Sequence, residues 1–284
     1  MTEPVRLDAI LVHRSLVRSR DRARELIRAG MVEVDGEVVR KPATRPKPSA
    51  DLRVRDELEG YVGRAAGKLA GALAELPGFD VRGKRVLDAG ASTGGFSQVL
   101  LERGAAAVFA VDVGRGQLAD SVAADPRVRP MPATDVRGLS IGDLGGAVEV
   151  VVADLSFISL TLVVPTLARL LSPAGDALLL VKPQFEAGRR ALDSRGVVRD
   201  WRIRAEAVAD VAAAALAVGL RCLRVVPSHV PGSAGNAEFF LWLTPASDRG
   251  AGLTMSEVRD GVLMAATQPD TPMREEVEHD GRQQ

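Results

Sequence analysis

Two apolar stripes and a short alternating segment open the chain. Leu7, Ile10 and Leu11 share one face of a helix predicted over Arg6–His13. Ala23, Leu26 and Ile27 form the stripe of a second helix, with Ser19 as its N-cap and Gly30 just past its end. On that second helix Arg20, Arg24 and Arg28 recur every four residues and line up along one side. Val32 to Val39 reads as a hairpin around the Asp35-Gly36 turn. Pro42, Pro46 and Pro48 interrupt the stretch after the hairpin, and Leu52-Arg53-Val54 returns as a last short strand. From Asp56 to Gly63 the chain is polar and broken by Gly60, which places a domain boundary there.

Beyond the boundary the pattern changes. Leu69, Leu73 and Leu76 point inward from a helix that has Lys68 at its start, beside the positive helix end, where a cation needs a further reason to be. From Val81 strands and helices alternate, which predicts a mostly parallel sheet. The predicted strands are Arg85–Ala89, Val108–Asp112, Val128–Met131, Val148–Ala153, Ala177–Val181, Arg221–Val226 and a final antiparallel Glu238–Leu243. Gln184 to Val198 is expected as a loop, Asp200 as the cap of a long Ala-rich helix ending at Gly219, and Met255–Ala266 as one more helix. A polar acidic tail with Pro269 and Pro272 is expected to be disordered. The expected organisation is a small α+β domain over 1–58, a linker over 59–67, an α/β Rossmann-like domain over 68–268 and the tail over 269–284.

The candidate chemistry lies where apolar runs end. In Val86 to Phe96 a strand breaks into glycines and resumes as a helix with Phe96, Val99 and Leu100 at helical spacing. Gly90, Gly94 and Gly95 permit a tight turn and the approach of a ligand. With Asp88, Ala91, Ser92 and Phe96 they form the candidate cofactor loop. Asp112, some twenty residues on, stands where nucleotide-binding folds hold a ribose diol, and Asp135 comes after the next strand, where it can accept from an adenine amino group or simply cap the loop. The order Asp-x-Gly-x-x-x-Gly-Gly departs from the dinucleotide pattern Gly-x-Gly-x-x-Gly and resembles the first motif of S-adenosylmethionine-dependent methyltransferases. A ligand-free turn is the plain alternative, and a nicotinamide-dependent dehydrogenase requires a different reading of the glycine offset. Asp154 and Lys182 end two apolar strands and should point into the same crevice, as reactive groups or as a buried ion pair.

Composition narrows the classes. One cysteine, Cys222, excludes an intramolecular disulfide framework, and three scattered histidines offer no metal-ligand spacing. No signal peptide or membrane span is apparent, so a cytoplasmic protein without a membrane or metal partner is expected, with a monomer favoured. Net charge is zero, but residues 1–48 hold 11 Lys/Arg against 7 Asp/Glu, and residues 247–284 hold 4 against 8. A basic head on a neutral body suggests contact with nucleic-acid phosphate. The candidate contacts are Arg6, Arg14, Arg18, Arg20, Arg24, Arg28, Lys41, Arg64, Arg189, Arg190 and Arg195.

Helix, basic helix, glycine and Val-x-Val-Asp-Gly hairpin together resemble the S4 RNA-binding module. Asp88 to Phe96, Ala153-Asp154-Leu155-Ser156-Phe157-Ile158-Ser159 and Val181-Lys182-Pro183-Gln184-Phe185-Glu186 resemble runs characteristic of the TlyA, or hemolysin A, family. That family joins an S4 module to a methyltransferase domain of the FtsJ/RrmJ type. The resemblance covers the chain to about residue 268 and implies a class I methyltransferase fold with S-adenosylmethionine as cofactor. It also implies ribose 2′-O-methylation of cytidines in 16S or 23S ribosomal RNA, on 30S or 50S subunits, with capreomycin sensitivity as a consequence. Carried over by position, the catalytic tetrad falls on Lys68, Asp154, Lys182 and Glu238. The linker departs from the family pattern at Gly63-Arg64-Ala65-Ala66, where Ser-Arg-Gly is expected.

The tetrad has a chemical rationale of its own. A ribose hydroxyl is a poor nucleophile and has to be oriented and relieved of its proton, which Lys182 can do if partly neutral. Whether Lys182 acts as a base or only orients the hydroxyl stays open. Two other classes compete: a non-catalytic S4-domain assembly factor and a membrane-active hemolysin, the latter without any amphipathic or secretory feature in its favour. The absence of an Asn/Asp-Pro-Pro-Tyr run speaks against exocyclic-amine methylation, and the placement of Cys222 in a strand speaks against cysteine-dependent C5 methylation.

Overall fold

The computed structural model describes residues 5–17, 19–54, 60–245 and 250–267. Arg18 and the predicted tail 269–284 lie outside the described residues. The chain divides into two compact units, Met1–Gly60 and Tyr61–Gln284.

In the first unit, helices α1 (Leu7–His13) and α2 (Arg20–Ala29) pack beside a three-stranded antiparallel sheet of β1 (Val32–Val34), β2 (Glu37–Val38) and β3 (Leu52–Val54), ordered β2-β1-β3. The predicted stripes meet in one core, where Leu7, Leu11, Ala23, Leu26, Ile27 and Val32 are buried. The Ser19 side chain accepts from the Arg22 amide at 3.2 Å and starts α2. Asp35 and Gly36 both have positive φ, as the tight hairpin turn requires.

The second unit is a seven-stranded sheet. Its strands are β4 (Arg85–Ala89), β5 (Ala107–Val111), β6 (Val128–Met131), β7 (Val148–Ala153), β8 (Leu171–Val181), β9 (Arg221–Pro227) and β10 (Phe239–Thr244), in the order β6-β5-β4-β7-β8-β10-β9. Neighbours from β6 to β8 are parallel, and β10 is antiparallel to both β8 and β9. Alternation along the strands divides the core between two faces. Val150 and Val152 face the side covered by α3 (Ala65–Glu75) and α4 (Gly95–Glu102), where the short helix α5 (Asp120–Ala123) adds Val122 to the same core. Val151 and Ala153 face α6 (Val164–Leu170), α8 (Trp201–Ala217) and α9 (Met255–Ala265). The Asp200 carboxylate caps α8, and Thr254 with Glu257 forms a capping box on α9.

Two expectations need correction. Strand β8 begins at Leu171, six residues before the predicted start, because Leu171 pairs with Val148 ahead of a register shift. The predicted loop 184–198 is partly helical: Pro183 opens a short helix, α7 (Pro183–Glu186), and Arg189–Ala191 form a 3-10 turn. Among the described residues no helix is long and apolar enough to cross a membrane.

Candidate active site

Parallel strands deliver their carboxyl ends to one edge of the sheet, and β10 runs the other way, so Glu238, just before it, reaches the same edge. There four charged side chains alternate in sign. Lys182 Nζ lies 2.6 Å from Asp154 Oδ1 and 2.8 Å from Ser156 Oγ. The other Asp154 oxygen is 4.0 Å from Lys68 Nζ, which in turn lies 2.6 Å from Glu238 Oε2. Gln184 donates to the second Glu238 oxygen at 3.3 Å. Lys68, Lys182 and Glu238 are all buried, so each charge has an opposite one in place of water. Gly232 leaves room for the Glu238 carboxylate in this arrangement, since a Cβ there would meet Oε1.

A cavity of about 340 Å³ opens beside this cluster. Val62–Ala65, Gly90–Thr93, Phe96, Asp154, Ser156 and Lys182 line it. Gly90 has φ +87°, and a Cβ would come within 2.6 Å of the Asp154 carbonyl oxygen, so the turn that shapes the cavity requires glycine. The other loop residues divide by role. Ala91 and Ser92 face the cavity, whereas the space beside Gly94 is filled by Leu118 and Val122, and that beside Gly95 by the start of α3. Phe96 touches the cavity but is mainly a core residue, stacked on Phe240 with ring centroids 6.2 Å apart.

The acidic residues separate in the same way. Asp88 is fully buried beneath the loop, accepts from Ser97 Oγ at 2.6 Å, and does not line the cavity. Burial pushes its carboxyl up to about 7, with the Ser97 hydrogen bond opposing the shift and the charges of Asp154 and Asp112 adding to it. Asp112, just past β5, accepts from the Ser92 amide at 2.8 Å and the Gly114 amide at 2.7 Å, which ties the glycine loop to the next strand. Asp135 caps a 3-10 turn through the Arg137 amide and pairs with the Arg137 guanidinium at 2.6 Å, which holds its carboxyl below the usual range. Cys222 lies on β9, and burial pushes its thiol up to about 12. Among the described residues no group of His, Cys, Asp and Glu is placed to hold a metal ion.

Several residues here carried no assignment from sequence. Ser156, Gln184 and Gly232 support the charged cluster, and Thr93 lines the cavity. Phe157 is 91% exposed with φ +64°, and its ring lies 5.2 Å from that of Phe185. The discoverable signal was position, because each of Ser156, Phe157, Gln184 and Phe185 comes three or four residues after the end of a strand.

The predicted phosphate contacts fare unequally. Asp8 is fully buried in the first unit and draws in Arg6 at 3.0 Å, Arg24 at 3.1 Å and Arg20 at 3.5 Å. The Arg6 hydrogen bonds, with a smaller share from Arg24, hold its carboxyl well below the usual carboxylate range against the cost of burial. Arg14 donates to the carbonyls of Ala50 and Pro48 at 2.9 and 2.5 Å. The side chains of these four arginines are thus engaged within the first unit, while Arg28 and Lys41 stand exposed. In the second unit Arg189, Arg190 and Arg195 are exposed, and Arg64 donates to the Pro231 carbonyl.

Comparison with known proteins agrees with the division of the chain into two units. The S4 domain model matches residues 5–52 and the FtsJ-like methyltransferase model residues 61–244. The 16S/23S rRNA (cytidine-2′-O)-methyltransferase TlyA of Mycobacterium tuberculosis (strain H37Rv) is 48% identical over 94% of this chain and 99% of its own length. The 23S rRNA (cytidine-2′-O)-methyltransferase TlyA of Campylobacter jejuni is 32% identical over 81% of this chain and 96% of its own. A solved structure described as a hemolysin, from Streptococcus thermophilus, is 34% identical, with TM-score 0.72, covering 92% of this chain and 95% of that one. With both domains matched in this order and nearly the full length shared, the chain belongs to the TlyA family, in which an S4 domain precedes an FtsJ-like methyltransferase domain.

Proposed function

We propose that the protein methylates the ribose 2′-hydroxyl of cytidines in ribosomal RNA, on the 30S subunit, the 50S subunit or both, and that it works in the cytoplasm. The observation that carries this reading is the Lys182 amine, held by Asp154 and Ser156 at the mouth of the glycine-loop cavity. The names of its relatives support the choice of substrate.

The residues present fit S-adenosylmethionine. The cavity lies within the ordinary size range of small-ligand sites, the loop from Gly90 to Thr93 brings backbone close to it, and Asp112 stands at the end of the adjacent strand. Ala91, Ser92 and Asp112 would hold it, with Asp135 on the neighbouring loop and Asp154 at the reactive end; Asp88, Gly94, Gly95 and Phe96 shape the loop from beneath. When bound, this cofactor supplies a methyl group on a positively charged sulfur that leaves as a neutral thioether.

The chain supplies the rest. Lys182, in its neutral form, takes the proton of the ribose hydroxyl as the oxygen attacks carbon, and holds that proton as an ammonium beside Asp154. Asp154 fixes the position of the amine, and Lys68 with Glu238 balances the charge behind it. Phe157 offers an exposed aromatic face against the ring of Phe185, which lies 5.9 Å from the amine, and that face is suited to stacking an unpaired base. The exposed Arg28, Lys41, Arg189, Arg190 and Arg195 supply phosphate contacts.

The test is methyl transfer from labelled S-adenosylmethionine to 30S and 50S subunits that lack the modification, with the product nucleotide mapped. Label at a cytidine 2′-oxygen, lost at least ~100-fold in Lys182→Ala, is expected. Binding to RNA without transfer by the wild-type protein would leave the assembly-factor reading instead.

A further inference from the structure

The two partners of Lys182 hold it in different ways. Asp154 Oδ1 is 2.6 Å away but off the direction of a hydrogen bond, so the carboxylate attracts the charge without fixing how the hydrogens point. Ser156 Oγ, at 2.8 Å, accepts a hydrogen bond. A lysine nitrogen is tetrahedral and turns easily about its bond to Cε. Attraction to Asp154 fixes where the nitrogen sits; only the bond to Ser156 fixes its rotation. With Cε and the hydrogen given to Ser156 setting two of the four tetrahedral directions, the other two are set as well, and one of them is available to the cavity that all three residues line.

Ser156 is also well placed to be held still. It lies three residues past the end of β7, on a loop that turns at Phe157, and the far side of the loop is fastened to α7. Glu186 accepts there from Ser159 Oγ at 2.5 Å and from the Leu160 amide at 2.9 Å. The Lys182 amine and the Phe185 ring lie on the same segment as Glu186, with the amine 5.9 Å from the ring centre. Serine and lysine are thus carried by two segments that are bonded to one another.

We infer that Ser156 is a positioning residue for the methyl transfer: by accepting a hydrogen bond from Lys182 it turns the free valence of that amine toward the ribose 2′-oxygen. The inference rests on the 2′-O-methyltransferase reading and adds to it the residue that aims the base. No covalent bond to Ser156 forms; the ribose proton passes to Lys182, the oxygen–methyl bond forms as the sulfur–methyl bond breaks, and the proton leaves Lys182 for solvent after the product departs.

Kinetics on modification-free subunits, with Ser156→Ala, Ser156→Thr and Ser156→Cys beside the wild type, test this. Ser156→Ala should lower kcat about 10- to 100-fold while KM for RNA and the affinity for S-adenosylmethionine stay within about twofold. Ser156→Thr keeps a hydroxyl and should restore kcat to within about threefold, with Ser156→Cys, a weak acceptor, between the two. A role confined to holding the loop would instead raise KM or weaken cofactor binding. The inference is overturned by an unchanged kcat in Ser156→Ala, by a Ser156→Thr enzyme as slow as Ser156→Ala, or by a loss confined to KM. Absence of transfer by the wild type would overturn the underlying reading as well, which keeps the two failures apart.

Discussion

A carboxyl group under the glycine loop makes folding sensitive to pH. Asp88 is fully buried with its carboxyl raised to about 7 from 3.8. Between those values the unfolded chain gives up this proton and the folded chain keeps it, so folding stability falls as pH rises from about 4 to about 7 and the loss is complete above that. The full shift corresponds to at most about 4 kcal/mol. Asp88→Asn, which cannot ionise, should flatten the change in melting temperature across this window, as calorimetry from about pH 4 to 8 would measure; a slope equal to that of the wild type would refute it. Such residues show the reach and limits of sequence. The positions of Asp88, Asp112, Asp154 and Lys182 at strand ends are implied by the apolar runs before them. That Asp88 faces Ser97 and not the cavity depends on side-chain direction on one strand, and a run of letters does not specify which face the cavity occupies.

Secondary elements were legible where a periodic pattern met a terminal signal. Ser19 and Gly30 bracket α2 and Asp200 starts α8, because cap chemistry is local and needs no tertiary partner. The start of β8 and the short helix α7 were not legible, since the first depends on pairing with a strand over twenty residues away and the second on a carboxylate that finds its donors in another loop. That carboxylate, Glu186, fastens the loop after β7 to the segment after β8, and burial raises its pKa although Ser159 and Leu160 oppose the shift. Glu186→Ala should release the Leu160 amide, with hydrogen exchange there at least ~10-fold faster and kcat/KM on RNA reduced about 10-fold. Unchanged exchange at Leu160 would show that the fastening lies elsewhere.

At the scale of the molecule, zero net charge conceals an uneven distribution, and the structure distributes it further. Part of the basic character of the first 48 residues is taken up by Asp8, so counting arginines overstates what is left for phosphate. Arg28→Ala and Lys41→Ala should each weaken RNA binding and lower the slope of log K against log salt by about 0.7 to 0.9 if each contacts one phosphate. Arg24→Ala should instead loosen the first unit, seen as faster exchange of α1 amides with a smaller change in the salt slope. A full salt effect from Arg24→Ala would show that the Asp8 cluster is also part of the RNA surface. The two-domain organisation was expected from the polar break near Gly60, whereas the sharing of arginines between fold and ligand was not, because Asp8 gives no sign in sequence that it will be buried.

Strand order has one further consequence. The last strand of the sheet to be made, β10, is the one that separates β8 from β9, and the residue just before it, Glu238, completes the charged cluster. A growing chain that has emerged only as far as β9 has two lysines of the cluster matched by one carboxylate and no native neighbour for its newest strand. Synthesis therefore closes the sheet from within and finishes the reactive centre by the same insertion, so that no shorter stretch of nascent chain carries an assembled site.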